Sequence, residues 1–150
     1  MYSLIFLVYY YIFLAINNLY FFRSYYNILC IVQDHHNNTG IWSQIESATR
    51  YLAKKEGSLY IVTGPLFKGE NIKSIGNGVL VPSHIYKIIY SPQQHKAAVY
   101  LTLNAPGSEY RVISLKELET LSGINFFPKM SEEKKVQLLN LPAPKEIKHY

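Results

Sequence analysis

Asp34-His35-His36-Asn37-Asn38-Thr39-Gly40-Ile41-Trp42-Ser43-Gln44-Ile45-Glu46-Ser47-Ala48-Thr49-Arg50 is the stretch whose reading decides the fold. Its first part, residues 34–40, is polar and reads as a loop. From there Ile41, Trp42, Ile45, Ala48, Leu52 and Ala53 recur at intervals of three and four, which draws one apolar stripe along a helix. Ser43 and Glu46 match the S-x-x-E capping box at its start. Gly57 follows Lys54-Lys55, the pattern of a helix stopped by a left-handed residue just after cations that suit the negative end of its dipole.

Working outward, residues 58–63 are β-rich and end at Gly64-Pro65, a strand followed by a turn. Residues 68–78 read as a loop. In the strand expected over 80–90, Ile85, Lys87 and Ile89 alternate with Tyr86, Ile88 and Tyr90, so both faces should touch other parts of the molecule. Residues 97–103 form another strand and 111–113 are extended. Residues 114–121 form a short helix, with Ser114 and Glu117 as a second capping box and Gly123 as its stop. A last helix is expected within 131–139, before a Pro- and Lys-rich tail. The order predicts an α+β fold, an antiparallel sheet packed with helices.

Upstream the character changes. Residues 1–33 hold one charge, Arg23, and seven of the fourteen tyrosines. The run 1–22 is long enough to cross a hydrocarbon core as a helix, and Tyr-rich ends suit its interface. It therefore reads as a membrane anchor, as a buried core segment, or as a disrupted start. A cleaved signal peptide fits less well, because no basic n-region precedes it. A genuine leader would make the protein membrane-anchored or secreted, with membrane contact through residues 1–22.

Composition narrows the remaining classes. Cys30 is the single cysteine, which excludes an internal disulfide framework and zinc sites built on several thiolates. The net charge of +5 permits an anionic partner without demanding one.

Asn38, Trp42, Glu46 and Arg50 lie four apart, a spacing that stacks them along one helical face. A carboxamide oxygen is a hard ligand suited to Mg²⁺, a carboxylate can hold one of that ion's waters, and a guanidinium can fork onto a phosphate oxygen. Taken singly, the residues have plainer readings: Asn38 as a turn residue, Trp42 as core, and Glu46–Arg50 as a solvated i,i+4 ion pair.

Read together with the rest of the chain, the segment Asn38-Thr39-Gly40-Ile41-Trp42-Ser43-Gln44-Ile45-Glu46, with Arg50 a turn later, resembles the N-x-G-x-W-x-x-(L/I)-E segment of the DNA/RNA non-specific endonuclease family, the endonuclease G-like ββα-metal nucleases. The likeness continues in order. Leu59 to Phe67 resembles the family's strand ending in T-G-P, and Val81-Pro82 with Tyr86-Lys87-Ile88 its V-P-x-x-x-(Y/F)-K-(V/I) strand. Asn104-Ala105-Pro106, Ser114 to Glu119, Gly123 and Phe126-Phe127-Pro128 resemble its closing strand and last helix. Agreement covers about residues 33 to 128.

The resemblance implies a Mg²⁺-dependent endonuclease that hydrolyses DNA and RNA through the sugar-phosphate backbone. Asn38 would be the protein ligand of a single Mg²⁺, Glu46 would reach that ion through water, and Arg50 would stabilise the phosphate or leaving group. Lys87 would be scaffold or a nucleic-acid contact. The family's D-R-G-H motif, whose His is the general base, does not occur in this sequence. His35 and His36, beside Asn38, are the nearest substitutes. The expected organisation is an apolar leader over 1–33, the C-terminal half of a nuclease domain over 34–130, and a short helix and tail over 131–150. The expected activity is weak or absent. The alternative is a non-catalytic remnant or a membrane-anchored binding module that keeps the nuclease scaffold.

Overall fold

A computed structural model describes residues 2–6, 10–16, 19–25 and 30–145, with the strands before Ile31 described by their backbone. Strands β1 (Tyr2–Phe6), β2 (Tyr10–Ile16), β3 (Leu19–Tyr25) and β4 (Cys30–Asp34) come first. Helix α1 (His35–Asn37) runs through a wide π-type turn (Asn38–Trp42) into α2 (Ser43–Glu56). Then follow β5 (Ser58–Leu66), the small ribbon β6 (Ser74–Ile75) and β7 (Val79–Leu80), β8 (His84–Ser91), β9 (Lys96–Leu103) and β10 (Tyr110–Ile113). Helices α3 (Leu115–Ser122) and α4 (Glu132–Val136) close the order.

The main sheet is antiparallel, in the order β10-β9-β8-β5-β2-β3, while β1 pairs with β4. This is the α+β arrangement expected of the sequence. The helical anchor is not what the described residues show. They contain no helix long and apolar enough to cross a membrane, and the described backbone within residues 1–25 is extended, with β2 laid against β5. A long uncharged run satisfies a strand inside a sheet as well as it satisfies a helix in lipid, so composition alone does not separate them.

The central strands bury both faces, as the alternation in β8 requires. One face packs Leu59, Ile61, Ile85, Ile89, Ala98 and Tyr100 beneath the α2 stripe of Ile41, Trp42, Ile45, Leu52 and Ala53. The other packs Leu66, Tyr86, Ile88, Val99 and Leu101 against Ile113, Leu115 and Leu118 of β10 and α3. At Gly64 a Cβ would lie 2.3 Å from the Tyr86 hydroxyl, so only glycine lets that ring cross the strand.

The helix ends follow their local chemistry unevenly. Ser114 accepts from the Glu117 N–H at 3.1 Å and Gly123 ends α3 at φ 71°, as the second capping box predicts. Gly57, at φ 78°, ends α2 and donates to the Ala53 carbonyl. The first capping box does not form. The coil already begins at His35, where the Asp34 carboxylate accepts from the Asn37 N–H at 3.0 Å, so Ser43 lies within the helical path rather than ahead of it. Residues 35–40 are therefore helical, with a kink at Gly40 (φ −94°, ψ −112°), instead of an open loop, and Asp34 ends β4. The final helix is shorter than expected. It is held by the buried Lys135, which pairs with Glu119 and bonds Asn125, and Leu139 then donates to the Ala97 carbonyl along β9.

Candidate functional site

The turn into α2 is fixed from far along the chain. Asn104 accepts from the Asp34 N–H at 2.7 Å and donates to the carbonyls of Val32 (2.8 Å) and Pro82 (3.0 Å). Asn37 turns inward: its amide donates to the Leu103 carbonyl and its oxygen accepts from Gln33, both at 2.8 Å. With Asn37 committed to the scaffold, Asn38 is left half-buried at the start of the wide turn. Two adjacent asparagines thus take opposite parts. Local sequence does not assign them, because one of the two Asn37 partners, the Leu103 carbonyl, is 66 residues away.

Trp42 is buried in the core, Glu46 is half-buried one turn on, and Arg50 is exposed a turn beyond. The Arg50 guanidinium donates to Ser47 Oγ at 2.8 Å, and the i,i+4 ion pair with Glu46 is not formed. Among the described residues, neither the Asn38 carboxamide nor the Glu46 carboxylate has a hydrogen-bond partner. His35 and His36 are exposed on α1, edge to face with ring centroids 5.8 Å apart.

Of the two readings of Lys87, scaffold or nucleic-acid contact, its burial fits the scaffold. Lys87 stands between Ile85 and Ile89 on the α2 face and is 3% exposed, so it cannot touch nucleic acid. Its ammonium donates to Thr63 Oγ1, its cross-strand neighbour, at 3.0 Å and lies 4.8 Å from the centre of the Trp42 ring. Burial brings its pKa down to about 8; the Glu46 carboxylate opposes that shift and the Arg50 guanidinium adds to it. The strand's two-sided apolar pattern gave the burial, but the cation's partners lie on β5 and at the head of α2, beyond any local signal.

The donors present fit a hard divalent cation better than a soft one. Among the described residues no three His, Cys, Asp or Glu side chains converge, as a closed protein cage needs. An unpartnered carboxamide and an unpartnered carboxylate instead suit an ion that keeps most of its waters. Three buried polar atoms also lack partners among the described residues: Gln33 Oε1, Trp42 Nε1 and Thr102 Oγ1. Gln33 bonds Asn37, Trp42 heads α2, and Thr102 pairs with Ile85 of the α2-facing row, so all three belong to this side of the fold.

The sequence matches the DNA/RNA non-specific endonuclease family over residues 22–133, starting ahead of residue 33 where the motifs begin to agree. It is 29% identical to the mitochondrial nuclease EXOG of Mus musculus over 137 residues, covering 77% of this chain and 37% of that protein. Against mitochondrial nuclease EXOG of Homo sapiens it is 31% identical over 127 residues, covering 71% and 34%. Against nuclease C1 of Cunninghamella echinulata var. echinulata it is 32% identical over 111 residues, covering 62% and 44%. The chain thus spans less than half the length of these relatives. From the matched span and the order of its motifs, the chain belongs to the DNA/RNA non-specific endonuclease family.

Proposed function

We propose that this chain carries the metal- and phosphate-holding part of a Mg²⁺-dependent endonuclease that hydrolyses DNA and RNA phosphodiester bonds without reading bases. The observation that supports this reading most is that Asn38, at the turn into α2, and Glu46, in its first turn, make no hydrogen bond to protein among the described residues, with Arg50 exposed further along the same helix. Asn38 would hold the ion by its amide oxygen and Glu46 through the ion's hydration shell. A divalent ion held there supplies Lewis-acid stabilisation of phosphate charge. Arg50, exposed and on the same helix, reaches solvent and can fork onto a phosphate oxygen as charge develops there. The net charge of +5 favours a polyanion and makes binding fall with salt.

Proton removal from the attacking water has no assigned residue. The D-R-G-H motif is absent from this sequence, and His35 and His36 face solvent on α1. Loss of a general base costs about 10²–10⁴-fold, so cleavage by this chain is slow. The same two observations favour a second reading, a metal- and nucleic-acid-binding remnant without catalysis.

Plasmid nicking by the full chain with Mg²⁺ and with EDTA, beside gel-shift binding of the same DNA, separates these. Slow nicking that EDTA abolishes, and that Arg50→Ala lowers at least about tenfold, supports the nuclease. Mg²⁺-dependent binding without nicking supports the remnant. Cleavage indifferent to EDTA, or neither cleavage nor binding, overturns both.

A further inference from the structure

We propose that Lys87 is the positioning residue of this site: its buried ammonium, tied to Thr63 and seated on the Trp42 ring, fixes the turn of chain that carries Asn38 and Glu46. The proposal rests on the reading of Asn38 and Glu46 as the metal-holding pair.

Packing alone does not call for a lysine at this position. Its neighbours on the same face, Ile85 and Ile89, are aliphatic and fully buried, and a hydrocarbon would fill the same space without taking an ammonium out of water. The cation's contacts explain the choice. Trp42 lies four residues after Asn38 and four before Glu46, at the middle of the candidate site. Its indole N–H has no partner among the described residues, so no hydrogen bond orients the ring. What addresses the ring is the Lys87 ammonium at 4.8 Å from its centre, and what holds that ammonium is Thr63 Oγ1 at 3.0 Å. Thr63 and Lys87 face each other across β5 and β8, so their side chains are set by sheet register rather than by a loop. A chain of contacts therefore runs from the rigid centre of the sheet, through a cation, to the ring on which the head of α2 sits. Lys87 is too deeply buried to meet a phosphate, which makes its role one of placement and not of chemistry.

Mn²⁺ titration of the full chain, followed by electron paramagnetic resonance of the free ion, tests this. Trp42, the single tryptophan, reports the same event by its fluorescence. Lys87→Met keeps the stem and removes the charge. It is expected to keep its near-ultraviolet dichroism while binding Mn²⁺ about tenfold or more weakly, the loss typical of groups that orient metal ligands. Thr63→Val keeps the ammonium and removes only its tether, and is expected to lose affinity in the same direction by a smaller factor. A folded Lys87→Met chain that binds Mn²⁺ as well as the wild type overturns the proposal and leaves the metal reading intact. If Lys87→Met does not fold, Thr63→Val decides: weaker binding supports the proposal and unchanged binding overturns it. A wild-type chain that binds no Mn²⁺ overturns the metal reading, and this inference with it.

Discussion

The two faces of the central strands are formed by alternate residues of β5, β8 and β9, and both are buried, yet they are filled differently. Toward α3, Ile88, Val99, Leu101, Leu115 and Leu118 pack as hydrocarbon with the Tyr86 ring among them, and the buried Lys135 beside α3 is ion-paired with Glu119. Toward α2, the row through Leu59, Ile85 and Ala98 also takes in Thr63, Lys87 and Thr102, all of them buried. Burying Lys87, which is tied to a hydroxyl and not to a carboxylate in a salt bridge, costs free energy that a hydrocarbon at the same position avoids. The difference teaches that the α2 face carries a lysine that packing alone does not call for, which is the ground for the positioning role proposed for it.

That contrast can be broken by experiment. The largest effect belongs to the hydrocarbon face: Ile88→Ala should cost about 4 kcal/mol in chemical denaturation through the cavity it leaves. Its Mn²⁺ affinity, measured on folded protein, should be unchanged; a parallel loss of affinity would erase the division between the faces. A more gradual effect belongs to the other face. In the folded chain Lys87 gives up its proton near pH 8, whereas the unfolded chain keeps it to about pH 10.4. Between those limits the unfolded state binds more protons, so the stability contributed by this group rises with pH across that window. Urea midpoints of wild type and Lys87→Met should diverge there, with the variant lacking that component of the rise; identical slopes would mean that the ammonium is not buried as described. The smallest effect compares the two helix starts. Ser114→Ala should lose about 1 kcal/mol, because the hydroxyl accepts from Glu117, while Ser43→Ala should be nearly silent because Ser43 caps nothing.

These contrasts also mark how far the sequence could be read. The α2 stripe was legible because its spacing repeats along one element, and every residue in it is buried. The α3 cap was legible because donor and acceptor lie three residues apart. The coil over residues 35–40 was not, since its polar composition matches a loop and Asn104, which anchors the strand just ahead of it, lies seventy residues from Asp34. The division of labour between Asn37 and Asn38 was hidden for the same reason. Lys87 was legible in part: the two apolar faces of its strand gave its burial, but its partner appears only when the register of β5 brings Thr63 opposite it. For the apolar run before Gln33, composition permitted strand and helix alike, and only pairing of β2 with β5 distinguishes them.

The break at Gly40 bears on how far apart the two oxygen donors stand. An unbroken α-helix rises about 1.5 Å per residue, so positions eight apart would be separated by about 12 Å along its axis, beyond the span of one small hydrated ion. With the break lying between Asn38 and Glu46, their separation is no longer dictated by helical pitch. In the proposed site the reach between the two side chains therefore depends on the bend at Gly40 as well as on helical rise.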